Sequence, residues 1–284
     1  MRLIESKAEL LPWNPGIEGV YKTIELAGRT AYHSQDKITP DSAKDFVDRM
    51  IKSKHGATLE HGTVYLKFED LADNDVVRYI DNPYSAVGKE LCVTSNLRVL
   101  QENNWLDDLQ YLCTPTEFHE KRYTMRLTCS RAIANELVRH RAFSFLQEST
   151  RYINYSKERH GGEITYIIPS WMPKEEKHID TSNGFGILEG EELYAFLGKA
   201  ERHYFYLLDK GLQPQQARDV LPNATKTELI MTGFSSDWRH VMDLRLFGKT
   251  GAPHPDMVDL MEKLRYEALE AGIWHDIMSK PSKF

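Results

Sequence analysis

Four segments of the chain read as strands, and helical sequence separates each from the next: TVYLKFE from Thr63, RYTMRLTCS from Arg122, TYIIPSW from Thr165 and KTELIMTGF from Lys226. In the first, Val64, Leu66 and Phe68 alternate with Tyr65 and Lys67, the period of two that sends neighbouring side chains to opposite faces of a sheet. DSAKDFVDRMIKSKHG opens on an Asp/Ser capping signal and sets Ala43, Phe46, Val47, Met50 and Ile51 at helical spacing, which predicts a helix ending near Gly56. RAIANELVRHRAF reads as a helix directly after the second strand. LYAFLGKAERHYFYLLDKG reads as another, stopped by Gly211, and QPQQARDVLPNA as a shorter one stopped by Pro222. DWRHVMDLRLFG and PDMVDLMEKLRYEALEAG are the last helical stretches, and LRVLQENNWLDDLQYL fits extra helices among polar loops. The strand–helix–strand rhythm of a doubly wound sheet is missing, so the pattern predicts an α+β fold, with residues 1–284 as one compact domain.

Charge and cysteine usage narrow the function. A formal charge of -6 argues against sequence-independent nucleic-acid binding, which needs a dominant basic field. Any phosphate site must therefore be local. Cys92, Cys113 and Cys129 lack CxxC spacing and are read as reduced thiols of a cytoplasmic protein. MRLIESKAELLPW does not resemble a signal peptide, and no segment approaches the roughly 18 apolar residues of a membrane span. GFGILEG at Gly184 has the wrong spacing for a dinucleotide loop and reads as a surface loop, and there is no GxxxxGK[ST] loop. HGATLEH holds His55 and His61 at a spacing that fits no common zinc site, so no metal is expected.

RHRAFSFLQESTRY, residues 139–152, concentrates the chemistry. On a helix Arg131, Asn135 and Arg139 would share one polar face, and a solvated face with salt bridges to Glu136 accounts for that much. Three consecutive cations, Arg139, His140 and Arg141, cannot all lie on one face. Ser149, Thr150 and Arg151 then offer hydroxyls and a guanidinium fork within a short turn, the donors that a phosphate dianion takes. Arg218 and Arg245 each sit among apolar residues on predicted helices, where a guanidinium rarely lacks an anionic partner. The set fits a nucleotide or a phosphorylated cofactor.

The same residues carry a resemblance. Arg139, His140, Arg141, Ser144, Ser149, Arg151 and Tyr152 fall in the register of the RHRxxSxxxxSxRY signature, and the chain resembles the flavin-dependent thymidylate synthases. HGATLEH, ARDVLP, and DWRHVMDLR with PHPD resemble that family's other elements, in the family's order, between about Ala27 and Leu264. The resemblance implies a mostly antiparallel sheet packed with helices. It also implies a methyltransferase that converts dUMP to dTMP without an enzyme nucleophile, methylenetetrahydrofolate giving the carbon and NADPH-reduced FAD the hydride. A homotetramer with active sites between subunits is implied as well.

Carried over by position, the resemblance assigns Glu136, Arg139, Gln147, Glu148, Ser149, Thr150, Arg151, Arg218 and Arg245 to dUMP, with Arg245 as the catalytic group beside the uracil. It assigns His55, Ala57, Thr58, Arg139, His140, Arg141, Gln147, His240 and His254 to FAD. Leu146 and Ala57 depart from the family pattern, which keeps open a non-catalytic nucleotide- or flavin-binding homologue. Stretches near 70–123 and 174–192 look like insertions relative to the family.

Overall fold

RYTMRLTCS and KTELIMTGF, the two longest strand segments, pair with each other along their whole length. The computed structural model describes residues 1–69, 76–151, 153–157, 161–172 and 189–281. Strands are β1 Arg2–Ile4, β2 Lys7–Leu11, β3 Thr63–Lys67, β4 Ala86–Val87, β5 Cys92–Asn96, β6 Arg122–Ser130, β7 Ser144–Gln147, β8 Thr165–Ile167 and β9 Lys226–Phe234. Helices are α1 Gly16–Ala31, α2 Ser42–Lys52, α3 Gly56–Leu59, α4 Val77–Ile80, α5 Leu97–Glu102, α6 Arg131–Leu137, α7 Glu189–Asp209, α8 Pro214–Ala217, α9 Ser235–Arg245, α10 Pro255–Glu270 and α11 Trp274–Ser279.

The main sheet runs β2-β6-β9-β7, antiparallel throughout. Its centre is the β6–β9 ladder, in register from Arg122 opposite Phe234 to Ser130 opposite Lys226. A second antiparallel sheet runs β3-β5-β4, and β1 pairs with β8 in parallel. The fold is thus α+β and mostly antiparallel. No helix among the described residues is long and apolar enough to cross a membrane.

One core fills the space between the main sheet and its helices: Met125, Leu127, Leu229 and Met231 meet Ile133 of α6, Trp238 and Val241 of α9, and Leu260 and Leu264 of α10. Each such buried side chain contributes about 1.5–3 kcal/mol. A second core joins Ile24 of α1 and Phe46 of α2 to Val64, Leu66 and Val93 of the smaller sheet. A third packs Tyr166 of β8 on Leu197 and Tyr204 of α7.

The sequence expectation differs from the structure at the signature. The predicted helix over RAIANELVRHRAF stops at Leu137. Ser130 caps its start by accepting from the Ile133 amide at 3.3 Å. Past Leu137 the chain turns, with the His140 amide donating to Leu137 O at 3.0 Å and the Phe143 amide to His140 O at 3.1 Å. Residues Ser144–Gln147 then add β7 to the edge of β9, a strand the periodicity does not reveal. Arg139 therefore does not share a helical face with Arg131 and Asn135, and the basic triplet fans out of a turn. The helix predicted over QPQQARDVLPNA is likewise a single turn, α8 at Pro214–Ala217, followed by a 3-10 turn over Arg218–Val220. Residues 184–188 of GFGILEG, Tyr152 and most of the 174–192 stretch lie outside the described residues, and the last two residues of GFGILEG open α7.

Gly233 keeps this turn against the sheet. A Cβ there would stand 2.4 Å from two ring atoms of Phe143, the residue that ends the basic turn. Phe143 in turn meets the Trp238 ring edge-on at 4.7 Å. Gly233→Ala is expected to destabilise the protein by about 1–3 kcal/mol through overpacking, measured by denaturant unfolding. Phe143→Leu in the same background should recover part of the loss.

Candidate active site

The antiparallel ladder sets the geometry. The two central strands each run straight into a helix, but at opposite ends of the sheet, so α9 carries its C-terminus back toward the end of α6. There Arg245, the last residue of α9, reaches both Glu136 and His140. Its Nη1 donates to the Glu136 carboxylate at 3.0 Å, Nη2 to Glu136 O at 3.3 Å and Nε to His140 Nε2 at 3.0 Å. A cation in the last turn of a helix also suits the helix dipole.

That contact fixes the state of His140. A guanidinium only donates, so Nε2 accepts and the ring proton sits on Nδ1. The side chain is buried. Burial first, then the charges of Arg245 and His240, pull its pKa down from 6.5 to about 4. The imidazole is therefore neutral at physiological pH. The ring of His240, one turn before Arg245 on α9, stands 6.0 Å away at a steep angle.

Around this centre is a cavity of about 290 Å3, lined by Arg139, His140, Arg141, Phe143, His240 and Arg245, with Asp237 on its wall. Arg139 and Arg141 are exposed, and among the described residues neither has a carboxylate within 4 Å. Asp237 is the charged lining residue that sequence reasoning missed, alongside the apolar Ala142, Phe143 and Leu244. It accepts from the Phe234 amide at 3.3 Å, and its signal was an acidic residue three positions into a helix that follows a strand.

The remaining expected residues lie outside this cavity's lining. Gln147 donates to Thr227 Oγ1 at 3.3 Å. Glu148 is buried, accepting from Lys226 Nζ at 2.9 Å and from the Glu228 amide at 3.1 Å, so its carboxylate is engaged within the protein. Burial alone would lower the Lys226 pKa, and Glu148 and Glu228 outweigh it and raise it. The Ser149 amide donates to Ala31 O at 3.2 Å, which ties the signature to the end of α1. Thr150 takes a 3.4 Å bond from Arg218, and Arg151 donates to Gln215 at 3.2 Å, so these form a patch beside α8. His55 precedes α3, 3.1 Å from the Tyr32 hydroxyl, with Ala57 exposed beside it and Thr58 buried, its hydroxyl on His55 O at 2.7 Å. His254 lies elsewhere, accepting the Asp256 amide at 3.1 Å as the N-cap of α10. Leu146 packs with Leu11, Ala27 and Ile230.

Residues 70–270 match the family described as thymidylate synthase complementing protein. The chain belongs to this family. It is 25% identical over 268 residues to the flavin-dependent thymidylate synthase of Corynebacterium efficiens, covering 90% of this chain and 80% of that protein. It is 28% identical over 151 residues to the probable flavin-dependent thymidylate synthase of Paramecium bursaria Chlorella virus 1, covering 50% and 64%. A solved UMP/dUMP methylase PolB from Streptomyces cacaoi, bound with 5-Br dUMP, is 16% identical with a TM-score of 0.47, covering 98% of this chain and 97% of that one. The family match spans the basic turn, β7, the Arg218 turn and α9, and begins downstream of His55, Ala57 and Thr58.

His140 makes stability depend on pH. Its folded pKa lies below the ordinary value, so its contribution is present above pH 6.5 and is lost as pH falls toward 4. Over that window unfolding takes up a proton at this ring. In His140→Asn, the slope of unfolding free energy against pH near pH 5 should correspond to about one proton fewer than in the parent chain.

Proposed function

We infer that this chain is a flavin-dependent thymidylate synthase, a methyltransferase that makes dTMP from dUMP. The observation that carries the reading is the convergence of Arg139, His140, Arg141, His240 and Arg245 on one cavity in a chain of this family. We read residues 1–284 as one domain of that type, with 70–123 and 174–192 as insertions.

The donor set fits a flavin nucleotide. Two exposed guanidiniums without carboxylate partners among the described residues suit phosphate oxygens, and a neutral imidazole beside them leaves room for an electron-rich ring. Arg139, His140, Arg141 and His240 would hold it, together with His55, Thr58 and the backbone near Ala57. Gln147 and His254 complete our assignment, His254 by turning from its helix cap. When bound, FAD reduced by NADPH supplies a hydride, and methylenetetrahydrofolate supplies the carbon.

The chain itself supplies position and field. Ser149, Thr150, Arg151 and Arg218 form the anion-binding patch for the dUMP phosphate, with Glu148 bracing the turn through Lys226. Arg245 presents its guanidinium to the uracil, where its charge favours anionic character on the ring. Glu136 and His140 hold that guanidinium in place. Cys129 is buried in the main core, and its thiol is pushed up to about 12, chiefly by burial, which removes it as a nucleophile. The Arg245 cavity and the His254 cap lie apart from the Ser149 turn and the His55 segment, which meet at the end of α1 through Ala31 and Tyr32; we read the active site as shared among subunits of a homotetramer.

The test uses dUMP tritiated at C5 with methylenetetrahydrofolate, FAD and NADPH, each omitted in turn. Tritium release that needs every component, with dTMP formed alongside, is the expected result. A flavin-loaded protein that binds dUMP and releases no tritium would make the chain a non-catalytic homologue. Arg245→Ala should lower turnover by about 10²- to 10³-fold, the loss typical of one transition-state donor, while bound flavin absorbance persists.

A further inference from the structure

A second cavity, of about 170 Å3, shares no lining residue with the first. Leu10, Trp13, Val20 and Ile273 give it apolar walls, and His61 and Arg122 line its polar end. Both polar side chains are buried, Arg122 at 6% exposure and His61 at 0%.

Arg122 is a buried cation with only neutral acceptors. Nη1 donates to Glu60 O and to Thr63 Oγ1, each at 3.2 Å, and Nη2 to Ser144 Oγ at 3.3 Å. Its guanidinium carbon lies 5.5 Å from the centre of the Phe234 ring. Among the described residues no carboxylate lies within 4.0 Å of it, and its Nε is buried without a partner. Burial draws its pKa down to about 10, so the group stays charged at neutral pH. The charges of Glu60 and Asp237 offset part of that burial without touching the guanidinium, and a buried charge with no direct anionic partner remains costly.

His61 shows a matching deficit. Its Nδ1 stands 2.8 Å from Thr232 Oγ1, itself 2.8 Å from Thr124 Oγ1, while Nε2 is buried without a partner. Burial and then the charge of Arg122 push its pKa down to about 3, so the ring is neutral and carries one N–H. When the Thr232 hydroxyl donates to Nδ1, that N–H is on Nε2.

We propose that this cavity binds a small monocarboxylic acid as its anion, the carboxylate meeting the Arg122 guanidinium beside the neutral His61 ring while an apolar body packs on Leu10, Trp13, Val20 and Ile273. The apolar walls offer water few partners and offer phosphate too few donors. An apolar cavity of about 150 Å3 holds a benzene ring, which sets the size of the acid near that of isovalerate or benzoate. The site is separate from the Arg245 cavity and does not depend on the proposed synthase activity.

Isothermal titration of the intact protein with formate, acetate, isovalerate, benzoate and benzamide tests the proposal. Benzoate should bind saturably at one site per chain, at least about tenfold more tightly than acetate, because its larger body buries more apolar surface. Benzamide should bind at least about tenfold more weakly than benzoate, because it lacks the charge that Arg122 requires. Arg122→Met should abolish the difference between the two. Thr23→Trp keeps Arg122 and His61 and fills the cavity from α1, where the Thr23 hydroxyl donates to Gly19 O of its own helix at 3.1 Å. This variant should melt cooperatively and lose benzoate binding, and it decides the question if Arg122→Met does not fold. No saturable binding, benzamide as tight as benzoate, formate as tight as benzoate, or benzoate binding unchanged in Thr23→Trp would each overturn the proposal.

Discussion

The β6–β9 ladder is the constraint on which the other features rest. Nine residue pairs lock Arg122 opposite Phe234 and Ser130 opposite Lys226, and a slip of one residue would turn every side chain to the other face. Because the strands are antiparallel and each feeds a helix, α6 and α9 start at opposite ends and their far ends meet. Trp238 Nε1 donates to Tyr123 O at 3.1 Å, fixing the first turn of α9 to β6. The placement of Arg245 between Glu136 and His140 follows from that register.

Electrostatics then shape what the meeting point can do. A guanidinium between a carboxylate and an imidazole leaves the ring neutral, with a known proton position, inside a cavity rimmed by two exposed arginines. The field is cationic while the central histidine is not, a combination suited to an anionic nucleotide beside a redox-active ring. The same ladder places Thr124 and Thr232 side by side under His61, so the second cavity is a product of the same register.

The parts of the fold legible in the sequence are those in which local pattern and tertiary burial agree. β6, β9, α2 and α10 lie close to where periodicity sets them, although β3 is buried on both faces where alternation suggested one. α1 escaped notice because Gly16, Gly19 and Gly28 dilute its helical signal. The structure needs one of them plainly: a Cβ on Gly28 would stand 2.5 Å from the Phe46 ring. β7 escaped because four residues of ladder are decided by β9 and not by their own pattern. The helix over the basic triplet was drawn too long because Val138 to Phe143 have ordinary helical propensity, and only the Arg245 contact and the β7 pairing end it. The motif residues were readable as a set. Their division was not: the Arg245 cavity and the α10 cap stand apart from the signature turn and the His55 segment, which meet at the end of α1, and spacing says nothing of which faces a single chain leaves apart.

The central physical claim is a neutral His140, protonated on Nδ1 and held by Arg245. Nitrogen-15 spectra of protein labelled at histidine report tautomer and titration directly, with His140→Gln identifying the resonance. The account predicts one ring that stays in the neutral Nδ1–H form from about pH 5 to 8, and that begins to titrate in this range when Arg245 is replaced by Met. A His140 resonance that titrates near 6.5 in the parent protein, or carries its proton on Nε2, would contradict it.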